Sequence, residues 1–116
     1  IPQAWRDRLR VLSDKAVGFA RDVAAHSENE AEARRATSTL YHAASAVAFS
    51  WEGSRIHAMR GDARRLLLSR LVVDHRLTAQ DPFAVLSEGR GDAIADSLLG
   101  EQPLAMSSAA DFLGAA

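Results

Sequence analysis

Apolar residues return every three or four positions along most of this chain. From Trp5, the series Leu9, Leu12, Ala16, Phe19 and Val23 alternates spacings of four and three. That is the seam of a bundle or coiled-coil helix, and it predicts a first helix from about Gln3 to Ala25. Arg6, Arg8, Arg10, Asp14 and Arg21 fill its polar side. Gly18 falls inside it, either as a close-crossing point or as a tolerated cost of about 1 kcal/mol. The break at His26-Ser27-Glu28-Asn29 carries a capping-box pair, Ser27 and Glu30, and three glutamates suited to the positive end of a helix dipole. A second helix is predicted from about Asn29 to Met59. Ala33, Ala36, Leu40, Ala43, Val47, Trp51, Ser54 and Ala58 line one face, and Ala44, Ala48 and Phe49 widen it. A helix this apolar is expected to be central and covered on more than one side.

Gly61-Asp62 ends that run, with Asp62 as cap for a third helix reaching about Leu77. Leu66, Leu67, Leu68, Leu71, Val72 and Val73 give it its apolar surface, and Arg64, Arg65, Arg70 and Arg76 are expected on its wet side. Asp81-Pro82 signals a short helix through Ser87, closed by Gly89. Asp92 to Leu99 follows as a further helix, with Ile94, Leu98 and Leu99 inward and Gly100 as its stop. Residues 101–116 read as a weakly structured tail with at most one turn carrying Phe112 and Leu113. No alternating pattern long enough for a strand survives. The fold expected is all-α: one domain over residues 1–100, an antiparallel bundle of three main helices plus one or two short ones, since short connections force neighbouring helices to run antiparallel.

Composition narrows the chemistry more than it names it. The 116 residues allow one modest core. A net charge of −1 gives no global pull toward nucleic acid or an anionic membrane. The absence of cysteine removes disulfides, thiolate catalysis and zinc–thiolate sites. With no apolar run near the ~20 residues of a membrane span, and no signal peptide visible, a cytoplasmic chain without a membrane partner is expected. Arg outnumbers Lys thirteen to one, a bias that fits a GC-rich bacterial genome. The start at Ile1-Pro2 reads as a piece of something longer.

Candidate chemistry is sparse. His26, His42, His57 and His75 show no metal-ligand spacing, so no metal is expected. There is no glycine-rich phosphate loop. Ser45, Ser50 and Ser54 have no activating base in the pattern. The arginines of the third helix lack interleaved aromatics, which ranks nucleic-acid binding last. Glu52 stands out, set among Phe49, Trp51 and Gly53. A partly buried carboxylate can serve as a proton-abstracting base. Pairing with Arg55, Arg60 or a neighbouring helix is its commoner fate.

Trp51-Glu52-Gly53-Ser54 is similar to the aromatic-Glu-Gly-Thr/Ser segment in which many acyl-CoA dehydrogenases carry the base that removes the substrate's α-proton; its tryptophan resembles the branch related to DNA-alkylation response proteins. The wider run Ala36 to Phe83 looks like the helical C-terminal region of bacterial members of that family. The resemblance implies that Glu52 is a candidate base, that the parent is an FAD-dependent oxidoreductase acting on an acyl-CoA, and that subunits assemble as homo-oligomers through their helical domains. Family members precede this segment with a glycine-rich stretch that helps hold the flavin. Here a long Ala-rich helix precedes it, so FAD and most of the active site are expected outside this chain, which would supply scaffold and subunit contacts and be inactive alone. The residues themselves support a second expectation of another class: a non-catalytic interaction or dimerisation module using the Trp5-to-Val23 stripe.

Overall fold

The structure, a computed structural model, describes residues 1–26, 28–79, 83 and 90–114. Its helices are α1 (Gln3–His26), α2 (Glu30–Arg60), α3 (Arg65–Val72), α4 (Arg90–Leu99) and α5 (Met106–Gly114). There is no strand among the described residues. The all-α expectation stands. The short helix expected over 81–87 falls almost wholly outside the described residues.

The α1 stripe does what its spacing predicts. Trp5, Leu9, Ala16 and Val23 are buried, with Leu12 and Phe19 half-buried beside them. They pack against α2 in an antiparallel pair: Trp5 meets Ser50 near the far end, and the Arg35 guanidinium lies over the Phe19 ring near the turn. Gly18 has open space around it, so it is a tolerated residue and not a crossing point. At the turn, Asn29 caps α2 by accepting a hydrogen bond from the Ala31 N–H, 2.8 Å. The Ser27 half of the expected capping box lies outside the described residues. Gly61 closes α2 in the left-handed region (φ 70°), its N–H donating to the His57 carbonyl.

α3 runs back along α2. The core gathers Trp5 and Leu9 of α1, Ala46 of α2, Ala63, Leu66 and Val73 around α3, and Ala109 and Leu113 of α5. Trp5 anchors it through a chain of hydroxyls. Its indole N–H is shared between the Ser50 and Ser69 hydroxyls at 3.0 and 3.3 Å. Ser50 donates to Ser69 (2.8 Å), and Ser69 donates to the Ala46 carbonyl (2.6 Å). No buried side-chain polar atom among the described residues is left without a partner, as a low-dielectric interior requires. Past Val72 the chain continues as a π-helical turn, Val73–Leu77, and so stays helical to the residue where the pattern ends.

Three expectations are corrected here. Arg70, placed on the wet side by its charge, is 1% exposed. Its Nε donates to Asp74 and its Nη1 to the Phe112 and Leu113 carbonyls at the end of α5, and its guanidinium lies over the Trp5 ring. A buried cation is tolerable because every side of it is paired. Residues 101–116 are not simply a weak tail: α5 buries Ala109 and Leu113 in the core. And Leu99, expected inward, is 85% exposed; Ile94 takes the inward line of α4, and a residue five positions on points away from it.

Candidate functional site

α2 has two apolar faces, and only one is used inside the chain. The inner face is built from small residues: Ala36, Ala43, Ala46, Ser50 and Gly53 are buried against α1 and α3. Gly53 shows why they are small. A Cβ there would stand 2.9 Å from the Leu66 backbone nitrogen, so α3 crosses α2 at near backbone contact. The outer face carries the bulk. Leu40, Tyr41, Val47, Trp51 and Met59 are all exposed, Tyr41 at 69%, Trp51 at 60% and Met59 at 70%. α2 is central and covered on more than one side, by α1 and by α3, as its apolar sequence predicts; what the pattern did not indicate is that this line stays bare, because α1 and α3 approach where small side chains let them.

Two concavities flank the outer face. One, about 490 Å³, runs between α1 and α2, with Val17 on one wall and Leu40, Val47 and Trp51 on the other. The second, also about 490 Å³, lies nearer the start of α2, around Glu30, Ala33, Thr37 and Tyr41. A further cleft of about 440 Å³ sits where α1, α2 and the chain after the π turn meet. Lys15, Arg35 and Arg76 stand around its apolar floor of Leu12, Phe19 and Leu77.

The Trp51-Glu52-Gly53-Ser54 segment is divided among these faces. Trp51 points outward, with the Arg55 guanidinium 5.2 Å from its ring centre. Glu52 points sideways and half into solvent, where Arg65 Nη1 donates to its Oε2 at 3.0 Å. Gly53 points inward to the α3 crossing. The partner of Glu52 thus comes from the neighbouring helix, not from Arg55 or Arg60. Comparison with protein-family models, curated proteins and solved structures returns no match.

The arginines expected to form one basic row are dispersed by their contacts. Arg65 holds Glu52 and Arg70 is inside. Arg64 Nε donates to both oxygens of Asp62, and its Nη1 donates to the Gly100 carbonyl. Asp62 also accepts from the backbone N–H groups of Arg64 and Leu104. The Arg64 side chain, helped by those N–H donors, holds the Asp62 carboxyl down at about 2 against the cost of its burial. This knot ties the α2–α3 turn to the segment before α5, a role broader than the helix cap its position suggests. Among the described residues no cluster of His, Asp or Glu could hold a metal, and no helix is long and apolar enough to cross a membrane.

The Trp5-to-Val23 stripe, named above as a docking surface, is occupied by the chain's own core. The outward residues Leu40, Val47 and Trp51 were legible as apolar. The signal that they are left uncovered is the series of alanines and glycine one face away, which marks where the close helix crossings go.

Proposed function

We propose that this chain is a non-catalytic helical docking module whose partner surface is the outward face of α2. One observation carries the reading: five large apolar side chains of the longest helix, Leu40, Tyr41, Val47, Trp51 and Met59, are exposed while its small ones form the core. Folded chains seldom leave a contiguous apolar patch of this kind bare, and such patches mark interaction sites. The surface fits an apolar helix laid along α2, recognised by shape and burial with charges only at its ends. Homo-oligomeric assembly belongs to the same reading. The test is a titration of the full chain with a synthetic Leu/Ala amphipathic helical peptide, following the indole N–H resonance of Trp51. A saturable shift that Val47→Glu abolishes is the expected result. In a chain that sediments as a monomer at the concentration used, no shift up to about 1 mM peptide, the weakest range of specific association, contradicts it.

The segment Trp51-Glu52-Gly53-Ser54 supports a second reading. In it the chain is the C-terminal helical part of an FAD-dependent acyl-CoA dehydrogenase-like oxidoreductase, supplying scaffold and subunit contacts while FAD and the acyl-CoA are bound by other parts of the parent. The outward face of α2 then serves as the subunit contact. The visible absorption spectrum of the full-length parent tests it. Flavin bands that bleach on adding an acyl-CoA support it, and Glu52→Gln then tests the base. A colourless folded protein that cannot be reconstituted with FAD rules it out.

A further inference from the structure

The outward line of α2 is self-complementary. Ala33, Thr37, Leu40, Ala44, Val47 and Trp51 are spaced by four and three, the period of a helix–helix seam, and all are exposed. None carries a charge. The ends of the line carry opposite charges: Glu30 one turn before it and Arg55 one turn after it, both exposed. The small residue Ala44 sits at the middle and permits close approach of two axes. The large one, Trp51, sits near one end, and the shallow depression around Ala33, Thr37 and Tyr41 sits near the other.

We infer that this chain pairs with a second copy of itself through α2, antiparallel, with the twofold axis at Ala44. The inference rests on the docking reading above and names its partner. In this register Ala44 faces its own copy, Val47 faces Tyr41, and Trp51 faces Thr37, over the depression. Arg55 faces Ala33 and comes within a turn of Glu30, at both ends of the seam by symmetry. Glu30 is free to turn toward it, because its present partner is the solvent-exposed Arg34 one turn on, a pair of little worth. A parallel pairing fails on the same residues: it sets Trp51 on Trp51, Arg55 on Arg55 and Glu30 on Glu30. The surface to be covered includes two large aromatics, Tyr41 and Trp51, together with Leu40 and Val47, the kind of side chain that dominates the energetics of an interface.

The chain has no cysteine, so single thiols can be placed in the full chain to read the register. Under mild oxidation Ala44→Cys is expected to cross-link to itself. Thr37→Cys and Trp51→Cys are expected to cross-link to each other when mixed and not when alone. Sedimentation is expected to show a dimer, with association at least tenfold weaker in Ala44→Glu while the two chains melt alike at concentrations too low for pairing. Glu30→Arg should weaken it, and Glu30→Arg with Arg55→Glu should restore it. A chain that stays monomeric to about 0.5 mM, where even a Kd near 0.1 mM would leave most of it paired, overturns the self-pairing. So does self-cross-linking of Thr37→Cys and of Trp51→Cys with none between them. If such a monomer still shifts its Trp51 resonance with the amphipathic peptide, docking stands and only the second copy falls. If it does not, both fall.

Discussion

The two faces of α2 both lack charge along most of their length and are put to different uses. Inward, alanines, a serine and a glycine let α1 and α3 come close, and the volume is filled by Trp5, Leu66 and Val73 from the neighbours. Outward, the helix brings its own volume in Tyr41, Val47 and Trp51 and finds nothing to fill. Burial in a helical bundle is therefore decided by how near the axes can come as much as by how apolar the side chains are. A core made this way leans on few large groups, and the largest is Trp5.

The comparison makes the inner face sensitive and the outer one tolerant. The largest effect expected is from Trp5→Ala, about 3–5 kcal/mol lost in chemical denaturation, because a fully buried indole and its hydroxyl partners are removed together. Trp5→Phe should cost less, since a phenyl ring still fills part of the indole's space, although the pyrrole half and its N–H donor are lost. Next is Gly53→Val at the α2–α3 crossing. Its Cβ alone would stand 2.9 Å from the Leu66 backbone nitrogen, and the expected loss is about 2–3 kcal/mol despite the gain in helix propensity. A thermal melt no lower than that of the unaltered chain would show that α3 can slide away, and the inner face would not be the tight one.

Acid provides the third probe. The Asp62 carboxyl is held at about 2 in the folded chain, against 3.8 for the free group. A depressed carboxylate stabilises the fold above its unfolded value, and that contribution fades as the pH falls through 3.8 toward about 2. Its full size is about 2 kcal/mol, lost across that window. Urea midpoints of the chain and of Asp62→Asn should therefore differ at pH 6 and converge near pH 2. A difference that persists unchanged at pH 2 would mean the carboxylate's charge is not what ties the α2–α3 turn to Leu104. The smallest effect belongs to Glu52→Gln. Its pair with Arg65 is half-exposed, and a loss under about 1 kcal/mol is expected in the same denaturation measurement.

Much of this was readable from spacing. α1 announces its buried line, and Gly61 and Gly100 end helices where they stand. α2 was readable as a helix but not as to which face is covered, because alanine and leucine positions score alike as apolar and only the partner helices decide between them. Arg70 was unreadable for a different reason: its partners are the α5 carbonyls, more than forty residues along the chain. α5 turns Met106, Ala109 and Leu113 inward, a three-and-four spacing that spans barely two turns and is too short to stand out as a pattern. The four-residue segment at Trp51 was legible as unusual, yet each of its first three residues has its own packing reason, and these reasons come from three directions.

The most direct measurement is the urea midpoint of a triple variant, Leu40→Gln with Val47→Gln and Trp51→Gln, compared at low concentration with Ala46→Gln. If the outer face serves a partner and the inner face the fold, the triple variant unfolds within about 0.5 kcal/mol per site of the unaltered chain, as surface substitutions do, while the single inner change costs several kcal/mol or prevents folding. A triple variant that unfolds as readily as the inner one would contradict this, and would place the outward face of α2 in the chain's own core.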